Sequence, residues 1–150
     1  MEAIDTVLEL SEITGSDYLY DLGCGDGRIL IAAAQRFGTR GVGIDIDPRR
    51  VREATEQAWR SGVSHLVDFR QGNLYETDFS NATVVFLYLL PHLNLRLLPA
   101  LRRLKPGSRI ISHDFDLGEW QPDRTIRLNT PEEPTFYQWT VGAEPSTESI

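Results

Sequence analysis

Apolar positions along the 150-residue chain follow helical spacing in some stretches and form short continuous runs in others, and the two kinds alternate. Ile4, Val7, Leu8 and the run from Leu10 to Ile13 share one helical face, which Thr14-Gly15 stops. Residues 18–22 are a short run of strand formers. Residues 29–37 then read as a buried helix ending at Gly38, a position suited to a left-handed cap. Residues 40–46 form a second apolar strand. Asp47-Pro48 follows as an N-cap with proline at the first helical position. Val51, Ala54, Ala58 and Trp59 predict the buried face of the next helix, which ends at Gly62, and residues 66–70 a third strand.

The run at residues 83–90, Thr-Val-Val-Phe-Leu-Tyr-Leu-Leu, is so uniformly apolar that it predicts a central strand buried on both faces. Leu93, Leu97, Leu98, Leu101 and Leu104 mark a further helix, Pro106-Gly107 turns the chain, and residues 109–112 return as a fifth strand. Strands alternating with helices predict an α/β fold with a doubly wound, mostly parallel sheet. The pattern then changes. Residues 124–128 and 136–141 are strands separated only by a loop with two prolines, which predicts an antiparallel hairpin at the sheet edge. Residues 1–142 are expected to form one domain, and the small, polar residues 143–150 a disordered tail.

Candidate chemistry concentrates where the first strand meets its helix. Asp21-Leu22-Gly23-Cys24-Gly25-Asp26-Gly27 breaks the strand into glycines at alternate positions. A strand, a glycine-rich turn and a helix N-terminus in succession let backbone N–H groups and the helix dipole face a ligand. The third glycine comes one place earlier than in the dinucleotide-binding spacing G-x-G-x-x-G. Asp21 adds a carboxylate two residues before the first glycine, an arrangement that suits an ammonium better than a pyrophosphate. Cys24 reads as a small residue that fits the loop.

Composition narrows the class of protein. A single cysteine excludes an internal disulfide framework, and no Cys/His cluster has metal-site spacing. No stretch is long and apolar enough for a membrane span and the N-terminus lacks a signal-peptide layout, so a cytoplasmic protein is expected. The net charge of −7 is unevenly placed. Residues 1–27 hold seven acids and no base, residues 28–109 thirteen bases and seven acids, and residues 110–150 two bases and eight acids. An acidic chain without basic runs argues against a nucleic-acid backbone as its main partner.

The stretch Asp-Leu-Gly-Cys-Gly-Asp-Gly after a strand resembles the first motif of class I S-adenosylmethionine (SAM) dependent methyltransferases. With Tyr88-Leu89-Leu90-Pro91, Lys105-Pro106-Gly107 and Ser112-His113-Asp114-Phe115, it resembles the small seven-strand protein-lysine methyltransferases, a group that includes archaeal enzymes and relatives modifying a component of ATP synthase. The resemblance implies a Rossmann-like methyltransferase with seven strands and a terminal hairpin, using SAM as cofactor. It places Asp21, Gly23, Cys24, Gly25 and Gly27 against that cofactor. Asp45, 18 residues after Gly27 at the end of the second strand, is expected to accept both ribose hydroxyls, since Asp47 fills the N-cap role better. Ile46 is expected against the adenine face. Asn73 and Leu74 take the place where the family shows Gly-Asp-Leu, with the Asn73 oxygen accepting from the adenine amino group.

Tyr88 is expected to shape the methyl-transfer site and to touch the cofactor, with His113 and Asp114 as further catalytic candidates and His92 as a polar neighbour. Trp120 suits either a wall of the substrate channel or an anchor for the hairpin, and His65 the surface. The two acidic ends of the chain are expected to flank the mouth. Glu2, Asp5, Glu9, Asp114, Asp116 and Glu119 there would draw in a cationic methyl acceptor such as a basic protein. Two other functions fit the same residues: a small-molecule O- or N-methyltransferase, and a SAM-binding module without catalysis, the latter because the chain begins almost on its first helix.

Overall fold

A seven-stranded sheet with the order β3-β2-β1-β4-β5-β7-β6 organises the protein. The structure is a computed structural model and describes residues 2–142, so the tail expected at residues 143–150 lies outside the described residues. The strands are β1 (Tyr18–Leu22), β2 (Arg40–Asp45), β3 (Val67–Gln71), β4 (Val84–Leu87), β5 (Arg109–His113), β6 (Arg124–Arg127) and β7 (Thr135–Thr140). The helices are α1 (Glu2–Leu10), α2 (Arg28–Phe37), α3 (Pro48–Arg60) and α4 (Pro91–Arg102). β1 pairs in parallel with both β2 and β4, so the strand order reverses at β1/β4. In a doubly wound sheet that reversal opens a crevice beyond the carboxyl ends of the two strands. β7 runs antiparallel to β5 and β6, which is the expected hairpin.

Two apolar layers cover the sheet. On one face α1, α2 and α3 bury Val7, Leu8, Leu30, Ala33, Ala54 and Ala58 against Leu19, Phe69, Phe86 and Ile111. On the other, Leu97 and Leu101 of α4, together with Phe79, cover Leu22, Val85, Leu87 and Ile110. Here the β3–β4 connection holds only a single 3-10 turn, Leu74–Glu76, so Phe79 does part of what a crossover helix would do. Gly43 has a packing reason. A Cβ there would lie 2.7 Å from the Phe69 ring and 2.9 Å from the Cys24 Cβ, so a side chain in the middle of β2 would push the glycine loop off the sheet.

Three expectations need correction. Trp59 is 75% exposed rather than part of the α3 core face. Ala54 and Ala58 define the buried stripe, and Trp59 lies one residue, about 100° of helix, beyond it. The strand expected at residues 83–90 ends at Leu87, and Tyr88 and Leu90 are 56% and 53% exposed. Pro91 at the first turn of α4 forces extended backbone at Leu90, so the apolar run leaves the sheet and becomes a lip above it. β3 sits one residue later than expected, at Val67–Gln71.

The amino ends of β1, β4 and β5 are tied together by a part-buried ion pair. Arg109 Nη2 lies 2.6 Å from Asp17 Oδ1, and the two side chains are 18% and 11% exposed. Thr83 Oγ1 donates to the same oxygen at 2.8 Å, and the Thr14 N–H donates to Asp17 Oδ2 at 2.9 Å. Arg109 also donates to the Ser11 carbonyl, which fixes the end of the helical segment before β1. Burial raises the Asp17 pKa, but the bonds from Arg109, Thr14 and Thr83 outweigh it and hold the carboxyl below its ordinary value. A depressed carboxyl stabilises the fold above its unfolded pKa of about 3.9, and that contribution is lost as pH falls through the lower folded value. Asp17→Asn should therefore flatten the acid limb of the stability profile and lower stability by about 3 kcal/mol near neutral pH. Urea unfolding from pH 2 to 7 checks this, and an unchanged acid limb would contradict it.

Candidate active site beyond the strand ends

The loop after β1 is shaped by three glycines with positive φ: 81° at Gly23, 56° at Gly25 and 82° at Gly27. Its amides are used differently from the expectation. Gly23 N–H and Cys24 N–H both donate to the Ile44 carbonyl, at 2.8 and 3.0 Å. Gly25 N–H donates to Asp45 Oδ2 at 2.9 Å, and Gly27 N–H to the Cys24 carbonyl at 3.0 Å. The first three donors pin the loop to the end of β2 and the fourth closes the loop on itself, so none of them lines a nest for a ligand. The loop thus offers shape: a Cβ on Gly27 would meet the Phe69 ring at 2.7 Å, whereas one on Gly25 would meet nothing within 4 Å. Cys24 is buried above Gly43, and burial beside Asp21 and Asp45 pushes its thiol up, leaving it inert.

The loop is acidic. Asp21 is 3% exposed, and burial, with Asp45 and Asp26 nearby, raises its pKa to about 7. Asp26 is held by Arg28 through bonds of 3.1 and 2.7 Å, whereas no hydrogen bond reaches the Asp21 carboxylate among the described residues. A buried acid of this kind is fitted to a cation that arrives with a ligand. Asp45 closes the end of β2. Its Oδ2 takes the Gly25 amide, its Oδ1 takes the Asp47 N–H at 2.9 Å, and its carbonyl takes the Gly72 N–H at 3.0 Å. Each carboxylate oxygen can accept a second hydrogen bond. Ile46, next along, is 68% exposed and offers an apolar face.

Asn73 is exposed and caps the Leu74–Glu76 turn, its Oδ1 accepting from Tyr75 N–H at 2.9 Å. One lone pair of the oxygen expected to read adenine is therefore committed to the turn, while Leu74 is half-buried beside it.

Across the crevice stands an aromatic column. The Tyr88 and His113 rings stack at 4.0 Å, His113 and Phe136 at 4.7 Å, and Phe115 flanks Tyr88 at 6.4 Å. Leu89 reaches back over the loop, 3.2 Å from where a Gly23 Cβ would be, so β4's exit and the glycine loop share one wall. Burial lowers the His113 pKa below its ordinary value, against the pull of Asp114. Asp114 adopts φ 66° and clamps β5 to β7, donating its N–H to the Thr135 carbonyl at 2.7 Å and accepting the Thr135 N–H on Oδ1 at 3.0 Å. Its Oδ2 lies 3.6 Å from His113 Nε2. Tyr88, His113 and Asp114 are thus brought together. His92 is exposed on the first turn of α4 and has no place in the column, and His65 is exposed.

Two contributors were missed by sequence reasoning. Phe136 completes the column from β7, which no local pattern announces. Asn94 is wholly buried and donates to Ser112 Oγ and the Asp116 carbonyl, both at 3.4 Å, and its Oδ1 has no hydrogen-bond partner among the described residues. Its signal was available: a polar residue in phase with the buried Leu97 and Leu101 of α4. Trp120 anchors the hairpin. Its carbonyl accepts the Trp139 indole N–H at 2.7 Å and Arg102 lies over its ring at 4.5 Å. Of the acids expected to flank the mouth, Asp5 and Glu9 pair with Arg36 on α2 and are already compensated. Asp114 lies against the column, and Asp116 and Glu119 are exposed further along the segment after β5.

Comparison with known proteins agrees with this geometry. Residues 21–124 match the family model described as the ANTKMT methyltransferase domain. A protein of Saccharolobus islandicus named a protein-lysine N-methyltransferase is 38% identical over 144 residues, covering 94% of this chain and 89% of that one. A human lysine N-methyltransferase named for the ATP synthase c-subunit is 37% identical over 106 residues, covering 70% of this chain, which spans only 45% of that protein. A crystal structure named as an RNA methyltransferase from Salinibacter ruber, in complex with S-adenosyl-L-homocysteine, superposes with a TM-score of 0.89 at 50% identity, covering 99% and 97% of the two chains. An acidic, cation-seeking loop, a carboxylate at the end of β2 and an aromatic wall across the crevice fit a cofactor with an ammonium, a ribose and a sulfonium. The chain accordingly belongs to the ANTKMT methyltransferase domain family and is a SAM-dependent methyltransferase.

Proposed function

We propose that the protein methylates the side-chain amine of a lysine in a protein substrate. The observation that carries this reading is the His113 imidazole, held between Tyr88 and Phe136 with the Asp114 carboxylate 3.6 Å from its Nε2. The names of the archaeal and human relatives support a lysine acceptor. The Salinibacter structure is named for RNA, but the exposed Asp114 carboxylate beside His113 would repel a phosphate there.

When bound, SAM supplies an electrophilic methyl group on a sulfonium. Asp21 holds the ammonium, Asp45 the ribose hydroxyls and Ile46 the adenine face, with Asn73 and Leu74 at the adenine edge. Gly23, Cys24, Gly25 and Gly27 form the wall against which the cofactor lies. Tyr88 orients the acceptor, and the apolar surroundings of Phe115 and Phe136 desolvate it. Desolvation disfavours the charged ammonium of a lysine and so lowers its pKa. His113, neutral because burial depresses its own pKa, accepts the proton that the amine must lose, and Asp114 steadies the imidazolium. Positioning and exclusion of water supply the rest of the rate.

Incubation with labelled SAM should place label on lysine in a protein or peptide, read by mass spectrometry. Label found in RNA and in no protein would refute the lysine acceptor. Asp45→Ala should weaken binding of S-adenosylhomocysteine by about 1.5–3 kcal/mol for each charge-assisted bond removed, twice that being the upper limit. Calorimetry measures the loss, and unchanged affinity would leave Asp45 as a turn residue only.

Asp21 makes cofactor binding depend on pH. An acid raised to about 7 is largely protonated below that pH, and pairing with an ammonium requires it to ionise. Affinity for S-adenosylhomocysteine should therefore rise from pH 5 to about 7 with release of a proton, and level off above. In the free protein the sign is opposite, stability falling as pH climbs from about 4 to 7 because the buried group must charge. Asp21→Asn should bind more weakly and lose both slopes. A wild-type affinity independent of pH in this range would refute the role.

A further inference from the structure

The rim around the aromatic column has two halves of different chemistry, joined by direct contacts. Tyr88, Leu90 and Leu95, at the end of β4 and in the first turns of α4, are 56%, 53% and 46% exposed, three large apolar side chains turned to solvent within a short stretch of chain. Opposite them the segment after β5 carries the exposed Asp114, Asp116 and Glu119. The halves are locked edge to edge. A Cβ on Gly118 would lie 3.0 Å from Leu95 Cδ2, Asn94 Nδ2 donates to the Asp116 carbonyl, and Phe115 flanks Tyr88. Leu95 thus packs against the acidic segment while still leaving nearly half its surface to solvent. One member of each half reaches the imidazole: Tyr88 stacks on His113 at 4.0 Å, and Asp114 Oδ2 lies 3.6 Å from its Nε2.

From this we infer that the rim selects lysines with an aliphatic side chain next to them in the acceptor, the lysine entering beside the acids and its aliphatic neighbour resting on Leu90 and Leu95. The inference rests on the lysine reading above and deepens it. Charge complementarity names the occupant: the acids require a cation, and the apolar lip is wasted on a segment that is cationic throughout. A desolvated aliphatic contact would also close the column to water, which the neutral amine needs.

Fluorescence anisotropy and initial methylation rates, measured at saturating SAM on short labelled peptides, test it. Each peptide carries one lysine between two leucines, two alanines or two glutamates. The leucine peptide should bind about tenfold more tightly than the alanine peptide, a difference of about 1.4 kcal/mol, and show a similar advantage in kcat/KM. In the Leu90→Ser/Leu95→Ser variant that advantage should fall below twofold, while affinity for the alanine peptide stays within twofold of wild type. Equal binding of leucine and alanine peptides, or a preference that survives in the double variant, would overturn the inference and leave lysine methylation standing. A leucine preference in binding without transfer to any lysine would leave the apolar lip standing and refute the lysine acceptor instead.

Discussion

Two amides on one carbonyl, those of Gly23 and Cys24 on Ile44, set the geometry of the crevice. Because the loop is pinned to the end of β2, Asp45 comes within 2.9 Å of the Gly25 amide and Cys24 is driven down over Gly43. The absence of a side chain at Gly43 is thus a condition for the loop's position. The loop's position in turn keeps Asp21 out of water. Backbone donors used this way cannot also bind a ligand, so recognition passes to side chains and to the surface the glycines leave bare. A rigid, internally satisfied loop loses little entropy when a ligand arrives, which is one route to affinity from a small site.

The two ends of the sheet treat charge in opposite ways. At the amino ends, Asp17 is surrounded by Arg109, Thr83 and the Thr14 amide, and its pKa falls. At the carboxyl ends, Asp21 is buried deeper among like charges, and its pKa rises. The same residue type stabilises the fold at one edge and strains it at the other. Sites that bind ligands through charge commonly show this asymmetry, since a group already satisfied within the protein has nothing left to offer. The relief arrives with the ligand, whose binding to the folded form alone adds to stability.

Much of this was legible in the sequence, for identifiable reasons. The strands and helices around the glycine loop appeared within a residue or two because strong caps mark them: Asp47 accepts from Arg49 N–H at 2.9 Å, and Gly38 has the left-handed φ of 71°. The hairpin was recognisable from the loss of helical spacing. Errors came where apolarity was taken for burial. Trp59, Tyr88 and Leu90 are as apolar as the core, and only helix phase and Pro91 reveal that they face solvent. The candidate site was legible in its residues but not in its bonding. Nothing local says that Asp114 would bond Thr135, or that Asn73 would spend its oxygen on Tyr75.

The column itself shows why a short chain can build such a site. His113 and Phe136 face each other across the β5–β7 ladder, where they are register partners. Tyr88 joins them from the residue just past the end of adjacent β4, and Asp114 closes the corner with Thr135. The exit of β4, the end of β5 and the start of β7 therefore contribute one ring each, and the hairpin that completes the sheet also completes the aromatic column. Antiparallel β7 is essential to this, because only a strand running against β5 brings its first residues, not its last, to the carboxyl edge. The reversal of direction at the end of the sheet is thus a functional feature as much as a way to finish the fold.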